Sequence, residues 1–140
     1  MTYSVPFLSF DGNCREAMQF YQTCFEGELF LMPFADAPGN FPHSEPKDHV
    51  LHSTLKDGNG SEILMAADNW AGTPHQPGNN FTVMIQSDNP GESQKLFIAL
   101  SVGGKITMPL QETFWAARFG TLTDRFGIQW TFNCEVPKPA

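Results

Sequence analysis

The chain has 140 residues, of which 41% are hydrophobic and 16% are charged, a composition typical of a folded globular domain rather than a disordered chain. Fifteen acidic against eight basic residues give a net charge of −7, which argues against nucleic acid or an anionic membrane surface as a partner. Because no apolar run reaches the length of a membrane span and the N-terminus has no signal-like pattern, we expect a cytoplasmic protein that binds small molecules.

The first elements predicted along the chain are a strand and a helix. The strand is expected over residues 3–10, and the helix over about 14–25, where apolar residues recur at helical spacing. Asn13 and Glu16 have the spacing of an N-terminal capping pair, and Gly27 ends the helix.

Three strands and a proline-rich loop complete the first half. Strands are predicted over residues 28–33, 49–55 and 62–67, and the last two are joined by a hairpin turn at 57–60. Residues 33–48 contain four prolines, so we predict a loop that is long enough to act as a lid.

In the second half, after a linker over residues 68–79, the sequence predicts the same kinds of element. A strand is expected over 81–86, a helix over about 88–101, and a short strand over 105–108. Gly103 ends this second helix, as Gly27 ends the first.

The last predicted element is a long hairpin over residues 111–130 that is rich in aromatic side chains. Its turn lies at 124–127. Two interpretations of these aromatic side chains stay open: they line a ligand-binding surface, or they pack in the core. Alternation along the first strand would place four side chains on each face: Thr113, Trp115, Ala117 and Phe119 against Glu112, Phe114, Ala116 and Arg118.

The two halves repeat each other. Residues 16–21 match residues 92–97 at an offset of 76, and the glycines at 27 and 103 match at the same offset. The Asp-x-x-Gly turns of the two halves match at an offset of 67. We therefore predict a single α+β domain over residues 1–140 that contains two strand-helix-three-strand modules, over about 3–67 and about 80–134, with the linker between them.

Two motifs resemble a known superfamily over nearly the whole chain. The first is Gly-Asn-Cys-Arg-Glu-Ala-Met-Gln-Phe-Tyr at 12–21, and the second is Gln-Glu-Thr-Phe-Trp at 111–115 followed by Phe-Gly-x-x-x-Asp-x-Phe-Gly-x-x-Trp at 119–130. They resemble the PhnB-like branch of the vicinal oxygen chelate superfamily, which includes glyoxalase, bleomycin-resistance and dioxygenase proteins. The resemblance implies two βαβββ modules whose sheets curl into a cup, and a homodimer with cups at or near the subunit interface.

The resemblance also implies where a metal ion would be held. Metal-using relatives place His, Gln or Glu near the start of each module's first strand and on its last strand. The matching positions lie among residues 4–7 and 80–82 and at Leu64 and Thr131, and none of them is His or a carboxylate. We therefore expect no cofactor, although a divalent metal is possible with replacement ligands chosen from His52, Glu62, Glu112 and Gln129.

Each replacement ligand has a structural alternative. His52 could be a half-buried, hydrogen-bonded histidine, and Glu112 could pair with Arg118. Glu62 and Gln129 flank turns, although each is two residues from Leu64 or Thr131 and so is expected on the same face.

The His49–His52 pair and the three cysteines give weaker evidence for a metal site or a reactive nucleophile. His49 and His52 are three residues apart, so a strand would send them to opposite faces. The three cysteines have no Cys-x-x-Cys spacing, which argues against a disulfide framework or a zinc site, and Cys14 is expected to be a silent thiol.

These observations favour a dimeric protein that binds a small molecule in an aromatic-lined cup. One alternative is a metal-dependent lyase, transferase or dioxygenase, and another is a dimer with only an interaction role. Whether the chain is an enzyme stays open. The predicted ligand-binding residues are Phe7, His52, Glu112, Trp115, Phe119 and Trp130.

Overall fold

A computed structural model describes residues 1–39 and 46–135, and neither of the α-helices in these ranges has the length and hydropathy needed to cross a membrane. The chain forms two compact units, with the division between Gln76 and Pro77. The elements are β1 Phe7–Phe10, α1 Cys14–Phe25, β2 Glu28–Pro33, a 3-10 turn Phe34–Asp36, β3 Val50–Lys56, β4 Glu62–Asp68, β5 Val83–Ser87, α2 Pro90–Ser101, β6 Lys105–Gln111, β7 Arg118–Thr123 and β8 Gln129–Cys134.

Each unit has one four-stranded mixed sheet and one helix. The strand order is β1-β4-β3-β2 in the first unit and β5-β8-β7-β6 in the second. The first and last strands of each module pair in parallel, and the other neighbours are antiparallel. In each unit the helix packs on one face of its own sheet, which leaves the opposite, open face for other contacts. The predicted α+β fold with two βαβββ modules is confirmed.

Helix α1 has the predicted bounds, but its N-terminus is not capped as predicted. The Asn13 side chain makes no capping hydrogen bond. Instead, Oδ1 of the buried Asp68 accepts hydrogen bonds from the backbone N–H groups of Gly12 at 2.9 Å and Cys14 at 3.0 Å. Its Oδ2 accepts from the N–H of Val50 at 2.8 Å. A carboxylate distant in sequence therefore replaces the predicted local cap.

The aromatic hairpin differs from the prediction. Strand β6 extends from Lys105 to Gln111, and β7 begins only at Arg118, so residues 112–117 form a connecting loop rather than strand. The Thr113 N–H donates to the Ala116 carbonyl at 3.0 Å, and the Ala116 N–H donates to Thr113 Oγ1 at 3.1 Å. The predicted alternation over residues 112–117 is wrong, because the antiparallel strands β6 and β7 need a reversal of the chain between them.

The sequence repeat of the two post-helix glycines is displaced by one residue in the structure. A Cβ atom at Gly27 would lie 2.2 Å from the Lys56 carbonyl oxygen, and a Cβ at Gly104 would lie 2.3 Å from that of Thr123. Gly104, not Gly103, is therefore the counterpart of Gly27, because both glycines allow the same close backbone approach.

Within the proline-rich segment, only its two ends can be described. Phe34–Asp36 form the 3-10 turn, and the Phe34 side chain is buried. Residues 40–45, the centre of the predicted lid, lie outside the described residues.

Candidate functional site

The open face of the first sheet contains a concavity of about 390 Å³. It combines an aromatic ring with ionisable and hydroxyl side chains from three neighbouring strands. Its lining residues are Glu28, Phe30, His52, Thr54, Lys56 and Glu62. We call this set of residues the first concavity.

Strand register explains why these side chains converge. Phe30 lies opposite Thr54, and His52 is two residues before Thr54 on the same strand, so all three point to one side of the sheet. Near the turn the register of β3 and β4 shifts, so that Lys56 lies opposite Glu62. Lys56 shares the face of Thr54 by ordinary alternation, and the shift brings the Glu62 side chain to the same first concavity.

The same register shift corrects the prediction for Glu62. Leu64 lies opposite Leu55, whose side chain points to the helix face, and Leu64 is itself buried in the core. Glu62 lies opposite Lys56 on the open face. Glu62 and Leu64 therefore do not share a face, because the irregularity between them breaks strict alternation.

Hydrogen bonds and ring contacts orient the polar groups of the first concavity. His52 Nε2 lies 3.1 Å from Thr54 Oγ1, and the His52 ring centroid lies 6.5 Å from that of Phe7. The Tyr3 hydroxyl donates to a carboxylate oxygen of Glu62. Phe7 and Phe30 are each 55% exposed, which is high for residues within a sheet. The first unit thus presents two aromatic surfaces beside a histidine, a hydroxyl and a carboxylate.

The other predicted ligand-binding residues lie in the second unit. The Trp115 ring is 51% exposed and packs edge-on against Phe119 and Phe114, with centroids 5.3 Å and 4.7 Å away. Glu112 is exposed in the loop after β6. Trp130 is only 1% exposed, and its indole N–H donates to Asp124 Oδ2 at 2.9 Å. Trp130 therefore has a role in the core of the second unit.

The predicted metal ligands do not form a complete set among the described residues. No group of three or more His, Cys, Asp or Glu side chains there could hold a metal ion. His52 and Glu62 line the first concavity together. Two donors are fewer than the three protein ligands that a catalytic zinc site uses, so the lining of the first concavity does not by itself fit a resident metal.

The thiol of Cys14 is sealed in the core at the start of α1. Burial, the largest cause, raises the pKa of Cys14 to about 12, and the Asp68 carboxylate contributes in the same direction. Its sulfur lies 3.8 Å from Ser53 Oγ. A protonated, buried thiol is a poor nucleophile, which agrees with the silent role expected for it.

Sequence reasoning missed several residues of the first concavity. These residues alternate with more buried residues along β2 and β3, and they are Glu28, Phe30, Thr54 and Lys56. That alternation was a usable signal, because polar and aromatic side chains at every second position indicate one face of a strand. Tyr3 was predicted to begin the first strand, but β1 begins only at Phe7, so alternation could not place the Tyr3 side chain.

The chain was compared with known families and proteins. Residues 2–132 match the family model described as 3-demethylubiquinone-9 3-methyltransferase. The chain is 33% identical to Protein YjdN of Escherichia coli (strain K12) over 144 residues, which cover 96% of each protein.

Two solved structures resemble this chain in both sequence and fold, and a third resembles it in fold alone. Protein PA1353 from Pseudomonas aeruginosa has 41% identity and a TM-score of 0.86, covering 98% of this chain and 100% of that one. A putative 3-demethylubiquinone-9 3-methyltransferase, PhnB protein, from Bacillus cereus has 26% identity and a TM-score of 0.74, covering 95% and 99%. The fold, at 13% identity and a TM-score of 0.64, is also that of the fosfomycin resistance protein FosX from Listeria monocytogenes, covering 96% of this chain and 92% of that one.

Proposed function

We propose that this chain, which belongs to the PhnB-like branch of the vicinal oxygen chelate superfamily, binds a small molecule in the first concavity. The observation that carries the proposal is the convergence of His52, Thr54 and Glu62 beside the half-exposed ring of Phe30. An apolar surface with a few convergent polar groups is the usual construction of a ligand site.

The composition of the first concavity favours a ligand with a flat apolar part and hydrogen-bonding groups. The exposed ring of Phe30 lines the concavity, and that of Phe7 lies beside His52, so both rings offer stacking surfaces. His52 and Thr54 offer donors and acceptors. The lining contains two carboxylates, Glu28 and Glu62, against one ammonium group on Lys56. A neutral or cationic ligand therefore meets less electrostatic repulsion than an anion.

A thermal-shift screen of metabolites tests this proposal directly. A ligand present at 100 times its Kd stabilises the folded state by about 2.7 kcal/mol, which raises Tm by several degrees. We expect at least one aromatic compound to do so for the wild type. The shift should shrink in His52→Ala and Phe30→Ala, and the loss of one hydrogen bond should weaken binding about 2- to 12-fold in the histidine variant.

Gln19→Ala is the matched control for these variants. Gln19 is exposed on α1, which packs on the opposite face of the first sheet, so its removal should leave the ligand-induced shift unchanged. The proposal fails if the stabilising compounds act equally on all three variants and the wild type.

We assign no resident cofactor to the first concavity. The metal-dependent alternative rests on His52 and Glu62, which share this concavity without a third ligand among the described residues. Elemental analysis after purification with added zinc and manganese distinguishes a metal-free binding protein from a metal-dependent enzyme. About one bound ion per chain would favour the enzyme.

We also propose a cytoplasmic homodimer. Apart from the two rings assigned to the ligand, the second unit leaves Met84, Phe114 and Trp115 exposed, which is more apolar surface than a small monomer normally shows. A two-fold dimer would bury more than about 1,000 Å² of such surface. Light scattering should give about twice the 15.6 kDa chain mass, and a monomer at micromolar concentration would reject this assembly.

A further inference from the structure

The helix-covered face of the second sheet contains a groove between α2 and the edge strand β6. The groove has a volume of about 430 Å³ and lies within the second unit. Its lining is mainly apolar and, among the described residues, includes a single charged side chain, that of Arg118 on β7. The apolar lining consists of Phe97 and Ile98 from α2 and of Ile106, Pro109 and Leu110 from β6. We call these residues and Arg118 the α2–β6 groove.

Strand register explains why the charged side chain of Arg118 lies on the side of α2. The Phe97 ring on α2 packs against Phe132 on β8, with ring centroids 5.1 Å apart, so Phe132 points to the helix. Gly120 lies directly opposite Phe132, and Arg118 is two residues before Gly120 on β7. Because side chains two residues apart share a face of a sheet, Arg118 lies on the helix-covered face.

An irregularity in β6 forms the wall of the groove that faces α2. The register of β6 against β7 shifts between Met108 and Gln111, which places Pro109 and Leu110 in a bulge. A Cβ atom at Gly120 would lie 2.9 Å from the Leu110 Cα, so the bulged backbone rests against this glycine. Since Gly120 faces the helix, the bulge lies on the same side of the sheet as α2, and the groove lies between them.

The walls of the groove leave aliphatic surface exposed. Ile98 is 56% exposed and Ile106 is 48% exposed. A ligand that covers these side chains removes hydrocarbon from water, which favours binding. The one aromatic ring of the lining, Phe97, is buried against Phe132 and offers no free face for stacking. A flexible hydrocarbon chain therefore suits this lining better than a flat ring.

Arg118 supplies a positive charge that has no counter-ion in the part of the chain that the structure describes. Its Nη1 donates to the Ala117 carbonyl at 2.7 Å, which uses one of five N–H donors and orients the guanidinium group. The pairing with Glu112 that the sequence allows is not among its contacts. The side-chain amides of Gln94 and Gln111 add further donors to the lining. A guanidinium group binds a carboxylate through two parallel N–H bonds, so Arg118 suits that anion.

We propose that the α2–β6 groove binds a medium-chain aliphatic carboxylate. The carboxylate pairs with the guanidinium group of Arg118, and the hydrocarbon chain covers Ile98 and Ile106 between the helix and the bulge. The charge of this ligand is opposite to that favoured by the first concavity, whose lining carries two carboxylates and one ammonium group. The charge of a probe therefore distinguishes binding in the groove from binding in the first concavity.

Amide chemical shifts in two-dimensional NMR test the proposal with octanoate, octylammonium and butyrate. Octylammonium keeps the chain and reverses the charge, whereas butyrate keeps the charge and shortens the chain. We expect octanoate to shift the amides of α2 and β6 with a Kd of about 0.1–1 mM. The other two probes should bind at least about tenfold more weakly, because each buried methylene contributes about fourfold to affinity and an ammonium group is repelled by Arg118.

Arg118→Met removes the charge and keeps most of the length of the side chain. It should weaken octanoate binding at least about tenfold, the effect of losing a hydrogen bond to a charged group, and it should not weaken octylammonium binding. Arg15→Met is the matched control, because Arg15 is an exposed arginine on α1 that also donates to a backbone carbonyl, that of Asp48 at 3.2 Å. The control should bind octanoate like the wild type.

Ile98→Ala tests the apolar wall independently of Arg118. More than half of the Ile98 side chain is exposed, so we expect this variant to fold. The loss of apolar contact should weaken octanoate binding about 3- to 10-fold. If Arg118→Met does not fold, Ile98→Ala and the three probes on the wild type decide the matter.

Four results would overturn the proposal. The first is octylammonium binding as tightly as octanoate, and the second is no shift in α2 and β6 at about 20 mM octanoate, well above the expected Kd. The third is a set of shifts confined to β3 and β4, which would place octanoate in the first concavity. The fourth is no octanoate shift together with a wild-type dimer that becomes a monomer in Ile98→Asp by light scattering, which would assign the groove to a second copy of the chain.

Discussion

The two modules share their strand order and differ on their open faces. In the first module that face holds His52, Lys56 and Glu62 beside exposed phenylalanines. In the second module it holds paired threonine hydroxyls, those of Thr107 with Thr121 and of Thr82 with Thr131. The features that both modules share are the ones that build the sheet: the Asp-x-x-Gly turns and the close approaches at Gly27 and Gly104. Side chains that pack against the helix stabilise the fold in both modules. The side chains on the open face are not needed for that packing, so they can differ in charge and polarity between the modules.

The modules also hold their helix N-termini differently, and this gives the largest expected effect. Asp68→Ala would leave three backbone N–H groups without their partner, those of Gly12, Cys14 and Val50. The bonds to Cys14 and Val50 are buried, so at about 1–3 kcal/mol for each buried unsatisfied donor we expect a loss of about 2–6 kcal/mol in the free energy of unfolding. Urea denaturation measures it.

The second module supplies the matched comparison. Asn89 caps α2 by accepting from the Glu92 N–H at 3.1 Å, so Asn89→Ala should cost only about 1 kcal/mol. Equal losses in the two variants would show that the Asp68 network adds nothing beyond an ordinary cap.

The two tryptophans of the aromatic hairpin sharpen the comparison between core and surface. Trp130→Ala should cost about 3–5 kcal/mol, because the ring is buried and its indole bonds Asp124. Trp115→Ala should cost less than about 1 kcal/mol, since half of that ring is exposed. Thermal unfolding of both variants checks this, and a large drop in Tm for Trp115→Ala would place Trp115 in the core instead.

The equivalent turn residues Asp57 and Asp124 give a smaller contrast. Each carboxylate accepts from two backbone N–H groups of its own turn. Asp124 is buried and also accepts from Trp130, so Asp124→Ala should cost about 2–4 kcal/mol against about 1 kcal/mol for Asp57→Ala. Chemical denaturation of the pair tests the difference, and Trp130→Phe should remove most of it.

The smallest expected effect concerns Cys14 at alkaline pH. Its pKa is raised from 9.0 in the unfolded chain to about 12 in the fold, so the folded state keeps its proton longer. The contribution of the Cys14 thiol to the free energy of unfolding is therefore fully present below pH 9, and it declines as the pH rises from 9 towards 12. In Cys14→Ala the free energy of unfolding should fall less steeply between pH 9 and 10, and parallel slopes would contradict the assignment.

The sequence was sufficient for the parts of the fold that depend on local pattern. Helical spacing predicted α1 with its observed bounds, and the strand expected after Gly27 has the observed bounds of β2. The internal repeat predicted two modules, and the family resemblance, which the comparisons confirm, implied the same two modules. Residues 112–117 were mistaken for strand because their aromatic and small side chains also alternate, although the chain reverses there.

The candidate site was harder to predict because it depends on register and on distant partners. Glu62 reaches the open face only through an irregularity between β3 and β4, and no local pattern marks it. Asp68 was assigned to a linker, since nothing nearby in sequence reveals that it holds the start of α1. His52 was found because histidine is conspicuous in a strand, whereas its neighbour Thr54 was not.

The parallel pairing of first and last strands has a consequence for the order of folding. Phe7 pairs with Met65, and Val83 pairs with Trp130, so the partners are separated by 58 and 47 residues. Closing such long loops is slow compared with forming the β3–β4 hairpin, so β1 and β5 should join their sheets late. During synthesis the first module can be complete once Asp68 has left the ribosome, while the second must wait until Cys134, the last residue of β8, has emerged. Pulse-labelled hydrogen exchange should accordingly find the amides of β1 protected after those of β3.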